Sequence, residues 1–311
     1  MKRRRKPIYV ESRIRASLDA LWDHTQDPAL HQRWDVRFGE IEYQPKTGPE
    51  QRFTYATRIA PGVRVAGTGE SLGDRERPDG SRWSGLKFWA DHPLSIIRTG
   101  AGYWRYVPTD DGIRFLTRYD YLPRWGGVGA VVDRFVFRPL FGWATAWSFD
   151  RLRLWLECGV DPSEARRRAL AHAFASGGTA AVWIYQGLVP KLLLQDADEL
   201  RLLRQAGIAP GHERRLLRLV GLAEIALGGA TIVAARRRWP YVATLVLVPA
   251  LSVGALKTDA RSFGRAFNPG SLNIALMGLA AIALCTDHDL PSGRHPLRAA
   301  PDEQPPVGEL P

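Results

Sequence analysis

The chain has 311 residues, a formal net charge of +11 and two cysteines, Cys158 and Cys285. That length accommodates two domains. The cysteines lie far apart in different predicted elements, which excludes a disulfide framework and a metal-knuckle spacing and fits a reducing compartment for the soluble part. The mean hydropathy of -0.22 is that of a soluble protein, but it averages two unlike halves. Up to Val160 there are 26 Lys and Arg against 19 Asp and Glu, and after it 17 against 13. The basic excess is therefore spread over both halves, and no nucleic-acid partner is expected.

The chain opens on a dense basic run, Lys2-Arg3-Arg4-Arg5-Lys6. Its expected partner is an anionic lipid surface, the other reading being a solvated, disordered tail. Pro7-Ile8-Tyr9-Val10-Glu11 follows at once, with no apolar stretch of signal-peptide length. Ile8 to Arg15 reads as a first strand. Ser17 then caps a helical segment that carries Leu18, Leu21 and Trp22 and closes at Trp34-Asp35. Phe53, Tyr55, Thr57 and Ile59 alternate with polar or small residues, as do Ile113, Phe115, Thr117, Tyr119 and Tyr121. Period-2 alternation predicts half-buried strands, with turns at Pro78-Asp79-Gly80 and Asp110-Asp111-Gly112. From about Val128 the pattern is helical through Glu157, with Pro139 expected to kink or interrupt it.

Strand, helix pair, antiparallel strands and a long closing helix make an α+β layout. With Leu21-Trp22, Asp27-Pro28, Trp34-Asp35 and Ala146-Trp-Ser-Phe-Asp-Arg-Leu152, residues 6–158 resemble the START-like (SRPBCC, helix-grip) superfamily. The resemblance implies a curved sheet gripping a long helix, with an apolar cavity for a lipid or another hydrophobic small molecule. Nine of the eleven tryptophans fall in this half, and aromatic side chains are common in apolar pockets as well as in ordinary cores. The cavity candidates are Trp22, Trp34, Tyr55, Trp83, Trp89, Trp104, Phe115, Tyr119 and Trp147.

Chemistry is harder to place. His24 and His31 share the first helical segment with Asp19, Asp23, Asp27 and Asp35. A His with a carboxylate can act as a general base, but without a nucleophile or third ligand these read as surface histidines. Gly67-Thr-Gly-Glu-Ser-Leu-Gly73 has the wrong glycine spacing for a dinucleotide loop. No Ser-His-Asp, zinc or P-loop signature is present, so catalytic residues stay unassigned and no metal is expected. A binding protein is favoured over an enzyme.

The second half is uncharged in long runs. Ala169 to Pro190 holds no Lys, Arg, Asp or Glu over 22 residues, the length of a helix across a hydrocarbon core of roughly 30 Å. It follows a charged hinge at 161–168. Further spans lie at 219–235, broken by Glu224, at 239–256 and at 266–286. Their lack of a charged face predicts an all-α, four-helix transmembrane bundle rather than soluble core helices. Asp198-Glu-Leu-Arg-Leu-Leu-Arg204 reads as a short amphipathic helix at the interface.

Val182-Trp-Ile-Tyr-Gln-Gly-Leu-Val-Pro-Lys191, Gly221-Leu-Ala-Glu-Ile-Ala-Leu-Gly-Gly229, Trp239-Pro240 and Phe267-Asn-Pro-Gly-Ser-Leu-Asn273 resemble the DoxX-like membrane family over about residues 170–285. That family has relatives linked to quinone-coupled thiosulfate oxidation and many members with no assigned activity. A carboxyl group in the bilayer costs about 2.5–3.5 kcal/mol on insertion scales, so Glu224 should face the bundle and have a partner. Tyr185, Gln186, Lys191 and Asn273 are the candidates, and Asn268 is a further polar residue of this half. Gly187, Gly221, Gly228 and Gly229 read as close-packing positions.

Basic flanking residues number eight on one side and nine on the other, so the positive-inside count leaves orientation open. The lack of an export signal before 160 folded residues predicts cytoplasmic termini. The domains expected are a basic tail at 1–6, a START-like domain at 7–160, the hinge, a DoxX-like domain at 169–286 and a disordered tail at 287–311. The function expected is an inner-membrane protein that binds a hydrophobic small molecule or lipid, partnered by membrane lipids and without a cofactor. The alternatives are a quinone-linked oxidoreductase component with a membrane redox partner, and a scaffold with no ligand.

Overall fold

The structure, a computed structural model, describes residues 6–300 apart from 47, 49, 61 and 267. Residues 2–5 of the basic run, Phe267 of the DoxX-like motif, the side chain of Ile59 and the tail from 301 lie outside the described residues. The chain forms two compact units. One is the chain up to Ala165 together with the return from Pro291, and the other is Arg166–Leu290.

The first unit begins with β1 (Ile8–Ile14), in which Val10 and Ile14 are fully buried. Helix α1 (Leu18–Gln26) is capped by Ser17, whose hydroxyl accepts the Ala20 amide at 3.2 Å. Asp27 ends α1 and starts α2 (Pro28–Trp34): its own amide donates to Asp23, and its side chain accepts the Ala29 amide at 2.7 Å. Six strands follow: β2 (Glu40–Tyr43), β3 (Arg52–Ala60), β4 (Val63–Glu76), β5 (Arg82–Trp89), β6 (Ile97–Thr109) and β7 (Gly112–Pro123). All the pairings are antiparallel in the order β1-β7-β6-β5-β4-β3-β2, so the first strand closes on the last of a meander.

Helix α3 (Gly126–Val132) passes through a wider π-type turn at Asp133–Phe137 into α4 (Arg138–Cys158). Pro139 lies in the first turn of α4, directly after the π-type turn whose last bond runs from the Arg138 amide to the Asp133 carbonyl. The break expected at Pro139 therefore falls just before it, in the π-type turn. Ala146, Phe149 and Leu152 of α4 are fully buried in one core with Val10, Leu21, Trp34 and Phe115. Gly159 ends the helix at φ 68°, a left-handed conformation that suits glycine, and donates to Leu154 and Trp155.

Two sequence expectations change here. The hinge at 161–168 is helical from Pro162. The tail expected to be disordered packs on the first unit over its described part: Glu11 and Leu297 exchange both backbone hydrogen bonds, at 2.9 and 2.8 Å. The Ser292 amide donates to Asp150 Oδ2 at 2.7 Å, and Arg298 donates to the Pro139 carbonyl. Backbone pairing and a buried carboxylate hold this segment despite its polar, proline-rich composition.

Helix α5 (Pro162–Gln186) carries the chain into the second unit and ends in a π-type turn, Gly187–Leu193, around Pro190. Then come α6 (Ala197–Gln205), α7 (Glu213–Val233), α8 (Trp239–Thr258) and α9 (Pro269–Cys285). Among the described residues, α7 and α8 are long and apolar enough to cross a membrane, while α9 is apolar but has 17 residues. Gly187 and Gly221 lie where any Cβ would collide with the facing backbone, so these glycines set the approach of α5 and α7. Polar groups turn inward: Ser176 meets Tyr241 at 2.7 Å, Trp183 donates to Thr244 at 3.0 Å, and His172 lies 3.0 and 2.9 Å from the carbonyls of Ala283 and Ala235. Leu219, Ile232, Val246, Leu251 and Ile274 are exposed. Apolar outside and polar inside is the arrangement a lipid solvent favours.

Candidate functional site

The curved sheet and the helices that cover it enclose a cavity of about 780 Å³, within the size range of small-molecule pockets. Strand alternation supplies much of its wall: Phe53, Tyr55 and Thr57 from β3, Leu86 and Phe88 from β5, Trp104 from β6, and Thr117 and Tyr119 from β7. Phe137 from the end of the π-type turn and Leu140, Phe141 and Ala144 from the start of α4 close it. Gly67 and Gly69 pair directly opposite Tyr55 and Phe53, and a Cβ at either glycine would strike the facing ring. The glycine run that looked like a failed nucleotide loop thus makes room for aromatic rings laid across the sheet.

Of the nine cavity candidates, Tyr55, Trp104 and Tyr119 line the space. Trp34 and Phe115 are fully buried in the core, where Phe115 stacks on Phe149 at 4.5 Å. Trp22 packs against Tyr106, Trp83 stacks on Tyr103, and Trp147 stacks on Trp143. These three and Trp89 are not part of the lining.

Arg37 and, from β4, Asp74 are charged side chains of the lining. The segment after α2 brings Arg37 over Asp35 as a bidentate pair, with Nε donating to Oδ1 at 2.9 Å and Nη2 to Oδ2 at 2.6 Å. Both side chains are buried. Burial alone would raise the Asp35 carboxyl, but the Arg37 charge and the hydrogen bonds from Arg37 and His31 hold it well below the usual carboxylate range. The Arg37 guanidinium also lies 5.6 Å from the rings of Tyr119 and Phe141. The Tyr119 hydroxyl meets Thr145 at 2.7 Å. Burial pushes the Tyr55 hydroxyl up to about 12, so it stays protonated and able to donate.

His31 is not a surface residue. Its Nε2 lies 3.2 Å from Asp35 Oδ2, its ring stacks on Trp34 at 4.9 Å, and Trp104 and Phe38 meet it edge-on. His24 hydrogen-bonds the Ala20 carbonyl and does not line the cavity. Sequence reasoning missed Arg37, Phe38, Ile41, Val65 and Phe141 as lining. The one local signal was the Asp35-x-Arg37 spacing beside an aromatic motif.

In the helical unit Lys191 Nζ lies 3.1 Å from Glu224 Oε2 and 3.1 Å from Glu199 Oε1. Of the four partners considered for Glu224, Lys191 is the one paired with it. Gln186 offers its carbonyl to Lys191 at 3.4 Å, Asn273 donates to Ser252 at 2.7 Å, Tyr185 is exposed, and Asn268 caps α9. Among the described residues no group of His, Cys, Asp and Glu gathers at metal-binding distance.

A helix-grip domain and a set of apolar helices together define a membrane protein that carries a helix-grip domain. The chain belongs to the DoxX-like family: residues 180–281 match that family, and 186 residues are 46% identical to YndG of Bacillus subtilis strain 168, an uncharacterized membrane protein, covering 59% of this chain and 69% of the relative. Among solved structures, TTHA0849 from Thermus thermophilus is similar over 50% of this chain and 99% of its own, at 15% identity and a TM-score of 0.38. A STAR-related lipid transfer protein from Xanthomonas axonopodis is similar over 48% of this chain and 84% of its own, at 20% identity and a TM-score of 0.37. The helix-grip assignment rests on the strand order and the position of α4 rather than on these likenesses.

Proposed function

We propose that the helix-grip unit binds a hydrophobic small molecule or lipid in its cavity, tethered to a four-span DoxX-like bundle in the cytoplasmic membrane with both chain ends cytoplasmic. The observation that carries the reading is the aromatic cavity of about 780 Å³ with the buried Asp35–Arg37 pair at its wall. Its walls favour apolar ligand surface, and the Asp35–Arg37 pair with Tyr119 and Tyr55 offers an oxygen-bearing end of the ligand fixed partners. Because Asp35 neutralises Arg37, a neutral polar end suits this corner.

Native mass spectrometry of the full chain, gently extracted, tests the reading. A discrete hydrophobic molecule should stay with the protein and be lost from Val65→Trp, which fills the cavity from β4. Circular dichroism checks that this variant still folds. An empty protein, or equal retention by Val65→Trp, would sink the proposal.

The second reading, a quinone-linked oxidoreductase component, draws on the Glu199–Lys191–Glu224 cluster, a set of ionisable groups in which Lys191 and Glu224 are shielded from water and Glu199 is partly exposed. A quinone that co-purifies and is lost in Glu224→Gln but kept in Val65→Trp would favour it.

A further inference from the structure

The helix-grip unit carries an apolar face that its own core does not use. Trp125, Val128, Val131, Phe135, Val136 and Leu140 are all at least 45% exposed, with Val128 at 73%. Such a run on one short segment exceeds the scattered apolar residues of an ordinary surface. The backbone is arranged to produce it. Trp125 takes φ 64°, a left-handed conformation that a bulky residue seldom adopts, and Gly126 follows at 54°. The π-type turn at Asp133–Phe137 then leaves the consecutive Phe135 and Val136 both in the open.

The exposed charge of this segment is basic. Asp133, the one carboxylate of the segment, is buried and held by Arg138 at 3.1 Å, and Arg138 also reaches Asp120 of β7 at 3.0 Å. Arg134 is exposed among the apolar side chains. The face is also continuous with the cavity. Leu140 and Leu94 line the cavity and are themselves 57% and 53% exposed, so the mouth opens beside the patch.

We propose that this face, residues 125–140 with Leu94 beside it, lies in the headgroup layer of a bilayer and that the cavity exchanges its ligand with lipid through that mouth. Aromatic and aliphatic side chains beside an arginine, without an unpaired carboxylate, match an anionic lipid surface, and the same chain carries the membrane helices α7 and α8. The exchange step rests on the cavity being a ligand site; the contact surface does not.

The test uses the full chain in vesicles of phosphatidylcholine and phosphatidylglycerol. Cys158→Ser and Cys285→Ser remove the two exposed thiols. A polarity-sensitive fluorophore is then placed on a single cysteine by Val128→Cys, Phe135→Cys or, as a control at the far end of β6 and β7, Asp110→Cys. Brominated lipid should quench the first two labels and leave them shielded from iodide, with the reverse at 110. Equal iodide access at all three sites would overturn the proposal. Shielding at 128 and 135 from both quenchers would also overturn it, in favour of a protein surface or a second copy.

Val128→Asp/Phe135→Asp, at positions outside the cavity lining, should slow uptake of a fluorescent lipid from vesicles about tenfold. Probe bound in detergent should not change. Unchanged uptake overturns the exchange step. A chain that binds no probe in detergent overturns the cavity reading, while bromolipid quenching at 128 would still uphold the contact surface.

Discussion

In the helix-grip unit Asp35 and Arg37 form a buried pair against an open cavity, whereas in the helical unit Lys191 joins Glu224 to Glu199 between packed helices. Both arrangements take charge out of water, and both compensate it with a geometrically close partner. They differ in what lies beyond the pair. Arg37 borders space that a ligand can fill, with aromatic rings around its guanidinium, so its corner can discriminate between bound groups. Lys191 is met by carboxylates from α6 and α7, so its charge ties the end of α5 to both. A buried ion pair facing a void suits recognition, and one enclosed by helices suits register.

The largest effect that would separate the two is expected at Lys191. Lys191→Met leaves Glu224 without its partner, and thermal unfolding of the detergent-solubilised chain should show a loss of roughly 3–5 kcal/mol. Lys191→Met/Glu224→Met should recover most of it. A single variant as stable as the parent would mean that the pair does not organise the helices.

Arg37→Met should cost about 3 kcal/mol, somewhat less because the cavity gives Asp35 room to find water. It should also reverse a pH dependence. In the native chain the Asp35 carboxyl is depressed, so its contribution is complete above the unfolded value of 3.8 and is lost as pH falls below it. Without Arg37, burial raises the carboxyl instead, and stability should then fall as pH rises above that value. Chemical unfolding of both chains between about pH 3 and 6 measures the slope; equal slopes would remove Arg37 as the cause.

Smallest is Asn273→Leu, which removes the 2.7 Å bond to Ser252. Helix–helix hydrogen bonds in membranes average about 0.6 kcal/mol, so a shift of that order in unfolding is expected, and a much larger one would assign Asn273 more than packing.

Much of this frame was legible in the residues. Alternation through Phe53, Tyr55 and Thr57 placed β3 and the faces of its side chains, and the run Ile113 to Tyr121 did the same for β7. The site was less legible, because its members come from separated segments. Arg37 lies two residues from Asp35 and reads as one more surface charge until β7 and α4 bring Tyr119 and Phe141 around it. His31 looked like the polar face of a helix, and Trp104, far along the chain, is part of what covers it. The proposed aromatic positions had the right composition, but strand register and helix packing decided that Tyr55, Trp104 and Tyr119 meet the cavity while Trp34 and Phe115 fill the core.

By itself the sequence determined the α+β half, its helical successor and the need of Glu224 for a partner. Those follow from periodicity and from the cost of charge in an apolar medium, both of which act locally along the chain. Only the tertiary structure decided that Lys191 is that partner, that Arg37, paired to Asp35, borders a void, and that the chain from Pro291 returns to pair Leu297 with Glu11. Which surfaces meet depends on sheet curvature and helix approach, and those are properties of contacts distant in sequence.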